Sequence, residues 1–186
     1  MEIEYVPVVD EEDEWLFNAR REHVHSDQNP LWHRSATVLT FRTEERDEIL
    51  VQRRSQEKER KPGLLEFTGG HVLAGESYRE AAIREYCEEL MDRRPGNTSI
   101  QDKDFQELEK LDKKSSDNWE KTAVYSTVYD GPFDLSDEVE EAWYAPVEEV
   151  EMDISENPDK YTNSATRSLE SYLENWKVEE LVNQRI

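Results

Sequence analysis

Hydrophobic and polar residues alternate over the first nine residues of the chain, and this alternation is the pattern of a half-buried strand. We predict an edge strand there, a turn at the acidic run DEEDE, and a second short strand at WLFNA. The next stretch, REHVHSDQNPLWHR, is polar and contains a proline, so we predict a connecting loop. The N-terminal region, residues 1–32, is therefore expected to contribute two strands and a loop.

Two runs rich in β-branched residues follow, SATVLTF and EILVQRR, with a charged turn between them. This arrangement predicts an antiparallel hairpin. After a solvated loop that closes at Pro62 and Gly63, the run LLEFT predicts a short strand that leads into a pair of glycines. The first half of the chain is thus read as mostly strands.

The second half continues this pattern and then changes its period. DFQELEKLD predicts a strand, WEKTAVYSTVYDGPF alternates with period two and predicts another, and EEAWYAPVEEV predicts a last short strand with a helical turn after its proline. From about Asn157 onward the apolar residues recur at helical spacing, which predicts a C-terminal amphipathic helix over residues 157–182 that packs on the sheet. The residues on that stripe are Leu169, Tyr172, Leu173, Trp176 and Leu181.

A second helix is predicted to begin at Ser77, because Glu80 follows three residues later and completes a capping box. At about 100° per residue, one broad stripe of this helix is apolar and is expected to face the core. That stripe consists of Tyr78, Ala82, Ile83, Tyr86, Cys87 and Leu90. With 186 residues and this order of elements, the chain predicts a single mixed α/β domain over residues 1–186.

The net charge of the chain argues against one class of function. The chain has 45 acidic and 23 basic residues and a formal net charge of -22, so nonspecific nucleic-acid binding is not expected. The same balance suits a protein that works at high salt, where screening is strong.

The sequence has neither a leader-like start nor a long apolar run, so we expect a cytoplasmic protein without a membrane span. Cys87 is the only cysteine, which excludes an intrachain disulfide and a cysteine-based metal site.

Three carboxylates, Glu85, Glu88 and Glu89, fall on one flank of the predicted helix. Their repulsion and their position in the last turns both oppose helix formation, so a solvated acidic face explains the arrangement less well than a bound divalent cation does. Arg84 lies beside them and can orient a carboxylate through a bidentate pair. The paired glycines, Gly69 and Gly70, allow the backbone to approach a ligand closely.

These residues resemble the Nudix box, which has the pattern G-x5-E-x7-R-E-U-x-E-E-x-G-U, with U a bulky aliphatic residue. Six positions of the pattern match over residues 70–92, and the departures are Tyr86, Met91 and Asp92. The runs ILVQRRS, KPGLLEFTGGHVLAGES and DGPFDLSDEVEEAWYAPVEEV are similar to the Nudix subgroup close to type I isopentenyl diphosphate isomerase. The matching residues of the box are Gly70, Glu76, Arg84, Glu85, Glu88 and Glu89.

The resemblance implies a fold, a reaction and a set of site residues. The implied fold is an α/β/α sandwich with a mixed sheet and a loop-helix-loop catalytic motif, and the implied reaction is hydrolysis of a diphosphate linkage with Mg²⁺ or Mn²⁺. Glu85 and Glu89 would be the main metal ligands, assisted by the Gly70 carbonyl and by Glu88, while Arg84 would orient a glutamate. The candidate substrate-binding residues are Arg53, Arg54, Gly69 and His71, and the candidate general bases outside the box are Glu138 and Glu141, with Glu140 and Glu120 also open.

Two other functions stay open at this point. In the isomerase reading, His25, His33 and His71 would occupy the places of metal-binding histidines, but Gly69 stands where the catalytic cysteine is expected, and Thr122 replaces the second glutamate of a later pair. The other reading is a Nudix module that binds a nucleotide without cleaving it. The expected partner is a small diphosphate compound rather than nucleic acid or membrane, and the oligomeric state is open, with a homodimer as one option.

Overall fold

The computed structural model describes residues 3–25, 29–91 and 102–183, with side chains as far as residue 175. Within these residues the chain forms nine strands and four α-helices, and short 3₁₀ turns cover Asp102–Asp104 and Pro158–Lys160. The strands are β1 (Tyr5–Val9), β2 (Trp15–Arg20), β3 (Trp32–Phe41), β4 (Glu48–Arg54), β5 (Leu65–Glu66), β6 (Thr68–His71), β7 (Gln106–Lys114), β8 (Trp119–Val128) and β9 (Val139–Pro146). The helices are α1 (Arg21–Val24), α2 (Tyr78–Leu90), α3 (Val147–Glu156) and α4 (Asn163–Asn183).

Strand β3 organises the sheet. It pairs in parallel with β8 over its whole length, from Trp32 opposite Trp119 to Phe41 opposite Val128. On its other side it pairs antiparallel with β1, β6 and β4 in turn. Strand β9 extends the sheet beyond β4, and β7 extends it beyond β8. The sheet is therefore mixed, as predicted.

Neighbouring residues of the central strands point into two separate cores, since side chains alternate across a sheet. Val38, Leu50 and Tyr125 pack with α2 on one face. Leu39 and Val124 pack with α3 and α4 on the other. The architecture is the predicted α/β/α sandwich, with α2 against one face of the sheet and α3 and α4 against the other.

Several elements confirm the pattern-based predictions. The strand at residues 5–9, the hairpin formed by β3 and β4, and the strands β7, β8 and β9 all form where they are predicted. Helix α4 buries Leu169 and Tyr172, while the side chains of Trp176 and Leu181 lie outside the described residues. Helix α4 begins at Asn163, because residues 158–160 form a 3₁₀ turn ahead of it.

Other predictions were wrong. The first strand is not an edge strand, because β1 lies between β2 and β3 and the edge belongs to β2. The predicted connecting loop contains the short helix α1, and its residues 26–28 lie outside the described part of the chain. The helical turn expected after Pro146 is a ten-residue helix, α3, which buries Val147, Val150 and Ile154 against the sheet.

Helix α2 begins as predicted. The Ser77 side chain accepts from the Glu80 amide, and the Glu80 side chain accepts in return from the Ser77 amide, a cap that contributes about 1 kcal/mol. The buried stripe differs in detail, because Ala81 and Glu89 are buried whereas Ile83 and Cys87 are only partly covered. The core-facing stripe is thus rotated toward the acidic flank, and one glutamate of that flank lies inside the protein.

No helix in the described ranges combines the length and the apolar character that a membrane span requires.

Candidate active site

The two glycines of β6 bring the acidic helix close to the centre of the sheet. A Cβ on Gly69 would lie 2.2 Å from the carbonyl oxygen of Ala36 on β3, and a Cβ on Gly70 would lie 2.3 Å from Oε1 of Glu85. Gly69 has no room for a side chain, because the obstacle is backbone, and at Gly70 a Cβ would displace the Glu85 carboxylate. The glycine pair therefore allows Glu85 to pack directly on the β6 backbone.

Arg84 joins the loop before α2 to the carboxylates on the helix. Its guanidinium forms a bidentate pair with Glu76, with Nε 2.7 Å from Oε1 and Nη2 3.0 Å from Oε2. The same side chain donates to Oε1 of Glu85 at 2.8 Å, to Oε2 of Glu88 at 3.2 Å, and to the His71 carbonyl oxygen at 2.8 Å. Arg84 thus contacts Glu76, Glu85 and Glu88, and its orienting role stays a prediction.

Glu89 is the most deeply placed carboxylate of the box, with 3% of its surface exposed. Its Oε2 accepts a hydrogen bond of 2.9 Å from the Gln52 side chain and one of 3.3 Å from the Gly69 amide. Burial raises the pKa of Glu89 well above its usual value, and the nearby charges of Glu66 and Glu85 raise it further. An ionised Glu89 is therefore costly unless a positive charge lies next to it.

Glu85 has the same electrostatic problem. Burial raises its pKa, and the attraction of Arg84 only partly offsets that effect, while Glu88 and Glu138 add repulsion. The box carboxylates accept from two donors, Arg84 for Glu85 and Glu88, and Gln52 for Glu89. Oxygen donors with raised pKa values beside a single arginine fit a hard divalent cation such as Mg²⁺ or Mn²⁺, which removes the cost of ionising them.

These carboxylates line a cavity of about 640 Å³ between α2, β6, the loop before β5 and the start of β9. Among the other predicted site residues, Arg54, His71 and Glu138 line it, as does Glu120. Arg53 and Glu141 do not, because they form an ion pair of 2.7 Å with each other outside the cavity lining. Glu140 accepts from Gln56 at 3.1 Å and is likewise absent from the lining.

Three residues outside the predicted site contact its side chains, and two of them, Glu66 and Lys58, also line the cavity. Glu66 lies beside Glu89, has its pKa raised by burial, and forms a 2.7 Å ion pair with Arg54. Lys58 forms an ion pair with Glu138. Gln52, buried on β4, bonds both Glu89 and Thr68. The sequence does contain a signal for Glu66 and Gln52, because each is a charged or amide residue inside an apolar strand, in LLEFT and ILVQRR. Such a side chain needs a hydrogen-bond partner when it is buried.

Three histidines form a second cluster on the same cavity. The ring nitrogens of His25, His33 and His71 lie within 4.8 Å of one another, and this is the one group of three metal-type donors found in the described residues. Nε2 of His25 lies 3.0 Å from Nε2 of His71. Nδ1 of His33 lies 2.8 Å from the Leu31 carbonyl, so Nδ1 is the donor and the buried Nε2 has no partner in the described part of the chain.

The histidine cluster is uncharged at neutral pH. Burial lowers the pKa of all three rings, to about 4 for His25, and the mutual repulsion of the rings lowers the values for His25 and His71 further. Neutral imidazoles offer lone pairs, so the cluster could hold a borderline cation such as Zn²⁺ rather than Mg²⁺. The structure thus brings together three histidines that the isomerase resemblance selects.

Comparison with known proteins agrees with this geometry. The sequence model described as "NUDIX domain" matches residues 31–165. The Escherichia coli K12 protein YfcD, described as an uncharacterized Nudix hydrolase, is 33% identical over 175 residues, which cover 91% of this chain and 87% of YfcD. The chain therefore belongs to the Nudix family. It is a Nudix-type pyrophosphohydrolase, and its subgroup within the family stays a prediction.

Solved structures show the same fold. The crystal structure of DR0079 from Deinococcus radiodurans superposes with a TM-score of 0.71 at 19% identity, covering 90% of this chain and 98% of that protein. The Nudix domain of Shewanella oneidensis NrtR, solved in complex with ADP ribose, has a TM-score of 0.55 at 16% identity and covers 77% of this chain and 87% of that domain.

Proposed function

We propose that this enzyme cleaves a diphosphate linkage in a nucleoside diphosphate derivative by attack of water at phosphorus, with Mg²⁺ or Mn²⁺ held by Glu85, Glu88 and Glu89 and by the Gly70 carbonyl. The observation that carries the proposal is the burial of Glu85 and Glu89, with raised pKa values, on the wall of a cavity of about 640 Å³. A domain that needed only affinity for a nucleotide would gain nothing from buried carboxylates that repel an anionic ligand.

The bound cations would neutralise the phosphate oxygens and lower the pKa of a water molecule. The protein's own part is to hold the acceptors in place. Arg84 fixes the carboxylates of Glu85 and Glu88 through its hydrogen bonds, and its bidentate pair with Glu76 ties the helix to the preceding loop. Positioning of this kind accounts for much of the rate of phosphoryl transfer, in which the protein makes few covalent contributions.

Glu138 is the best-placed general base among the candidates outside the box. It lines the cavity near Glu85, while Glu141 is paired with Arg53 elsewhere. Burial acts to raise the pKa of Glu138, but the hydrogen bond and charge of Lys58 outweigh it and hold the pKa below its usual value. Glu138 is therefore ionised at neutral pH and can accept a proton from the attacking water.

A structural neighbour supports the proposal that the substrate contains a nucleotide. The NrtR domain was solved with ADP ribose, a diphosphate-linked nucleotide. In this chain Arg54 is the predicted substrate residue whose position suits a phosphate, since it lines the cavity and its neighbour Arg53 does not.

The histidine cluster favours a second candidate, an isomerase that moves a proton in isopentenyl diphosphate. That chemistry needs an acid and a base at the allylic carbon. Gly69 and Thr122 occupy the positions where the resemblance implies a cysteine and a second glutamate, and neither can transfer a proton. Hydrolysis needs neither of them, so it is the function that the residues of this cavity support better.

A substrate panel tests the proposal. Nucleoside triphosphates, nucleotide sugars, dinucleoside polyphosphates and isopentenyl diphosphate are incubated with the enzyme after EDTA treatment, with and without added Mg²⁺ or Mn²⁺. We expect cleavage of at least one nucleotide only when the cation is present, detected by chromatography of the products. An allylic isomer formed from isopentenyl diphosphate would contradict the proposal, and so would tight nucleotide binding without cleavage.

A further inference from the structure

Basic residues are concentrated on one wall of the cavity, although the chain as a whole carries a net charge of -22. This wall consists of side chains from the end of β4, from the loop between β4 and β5, and from β7. We call it the cationic wall. Its members are Arg54, Lys58, Arg60, Lys61 and Lys113.

Three members of the cationic wall are already neutralised by ion pairs. Arg54 pairs with Glu66, Lys58 with Glu138, and Arg60 with Asp117. Lys61 and Lys113 differ, because no carboxylate of the described residues lies within 4.0 Å of either ammonium group. Two lysines without a carboxylate partner on the lining of one cavity, in so acidic a chain, indicate a place for an anion from outside.

The β4–β5 loop, which carries Lys61, is joined to the turn that follows Lys113 on β7. The Arg60 guanidinium and the Asp117 carboxylate form this contact, with Nη2 3.2 Å from Oδ2. Partial burial lowers the pKa of Lys61, and the positive charge of Lys113 lowers it further. Lys61 also has a φ of 51°, a left-handed conformation that side-chain-bearing residues seldom adopt.

Strand pairing limits what could neutralise the two lysines from inside the protein. Glu120 lies opposite Lys113 in the β7–β8 register, and on the other side of its strand it lies opposite His33. Glu120 is near enough to raise the pKa of Lys61 slightly, but it forms no ion pair with either lysine. With one carboxylate near the two ammonium groups, a net positive charge remains at this place. Lysine commonly binds phosphate through its positive charge.

We propose that Lys61 and Lys113 form a subsite for a further phosphate of the substrate, beyond the diphosphate that the enzyme cleaves. The proposal rests on the proposed function and specifies its substrate class as nucleotides with a chain of more than two phosphates. We expect the scissile diphosphate to meet the cations at the box carboxylates of α2. Lys61 and Lys113 come from the β4–β5 loop and from β7, so they are available to a further phosphate of a longer chain.

A matched substrate series tests this subsite. Diadenosine di-, tri- and tetraphosphate have identical end groups and differ only in the number of phosphates. For the wild-type enzyme we expect kcat/KM to rise from the diphosphate to the tetraphosphate. In Lys61→Ala and Lys113→Ala the ratio of kcat/KM between tetraphosphate and diphosphate should fall about tenfold, mostly through KM, because a charged hydrogen bond is lost. Lys103→Ala, an exposed lysine outside the cavity, is the control.

A binding measurement separates failure of the subsite from failure of the catalytic proposal. Calorimetry of inorganic tripolyphosphate and pyrophosphate needs no turnover, and wild-type protein should prefer tripolyphosphate by a factor that both alanine variants reduce. If no compound is hydrolysed but this preference is found, the subsite stands and the proposed function fails. If the alanine variants, with unaltered melting temperatures, keep the wild-type preference for longer chains in both assays, the subsite is refuted.

Discussion

Replacing Glu89 with glutamine is expected to lower kcat/KM by about 1,000-fold, because a metal ligand that stabilises charge in the transition state by several kcal/mol is lost. Glutamine keeps the size of the side chain, and its oxygen can still accept from Gln52 and from the Gly69 amide. The loss should therefore reflect the missing charge rather than a rearranged site. Steady-state kinetics on the best substrate of the panel, at saturating Mg²⁺, measures it.

The same substitution should stabilise the metal-free protein. The pKa of Glu89 is raised in the folded state, so its favourable contribution to folding is present at acidic pH and is lost as pH rises through that raised value. Glutamine does not titrate, and the melting temperature of Glu89→Gln in EDTA should exceed that of the wild type at neutral pH and approach it toward acidic pH. Glu149→Gln, an exposed glutamate in the first turn of α3, is the matched control; it should leave activity unchanged and should not raise the melting temperature. Full activity in Glu89→Gln would contradict the assignment.

Replacing Arg84 with alanine is expected to lower both activity and stability. Five hydrogen bonds are lost, to Glu76, Glu85, Glu88 and the His71 carbonyl. The carboxylates then remain half-buried without the guanidinium group that pairs with them. We expect a loss of about 2 kcal/mol in the free energy of unfolding, since removing one partner of a largely buried pair is costly. The loss in kcat/KM should be about 100-fold, as misplaced catalytic groups lose that much.

Arg84→Lys distinguishes charge from geometry. Lysine restores the positive charge but cannot form the bidentate pair with Glu76 while also contacting Glu85 and Glu88. We expect lysine to recover part of the stability and little of the activity, as measured by denaturant unfolding and kinetics on the same preparations. Equal recovery of both properties would show that Arg84 acts only as a charge and not as a positioning residue.

The sequence predicted those elements that depend on residues close together in the chain. The capping box at Ser77 and Glu80 fixes the start of α2, and period-two alternation identifies β8, because both depend on neighbours within a few residues. The departure from the box pattern at Met91 also has a local explanation. Met91 has a φ of -123°, so the end of α2 requires no glycine there. Asp92, the other departure near this end, lies outside the described residues.

Pairing between distant residues was not predictable in this way. Arg53 and Arg54 look equivalent in the sequence, yet strand alternation sends Arg54 to Glu66 and the cavity, whereas Arg53 pairs with Glu141 on β9. The burial of Glu66 had a local signal, a charge inside the apolar run LLEFT, but its pairing with Arg54 and the pairing of Lys58 with Glu138 depend on the fold. The three histidines were selected only through the family resemblance, and the fold then placed them within 4.8 Å of one another.

The most direct test of the account is a metal-binding measurement at the box carboxylates. Crystals of the wild-type protein and of Glu89→Gln are soaked in Mn²⁺, and anomalous difference maps are calculated at the manganese edge. We predict a peak beside Glu85 and Glu89 in the wild type and its loss or marked weakening in Glu89→Gln. A wild-type map without a peak at these carboxylates, even in the presence of a hydrolysable nucleotide, would contradict the proposal that they hold the catalytic cation.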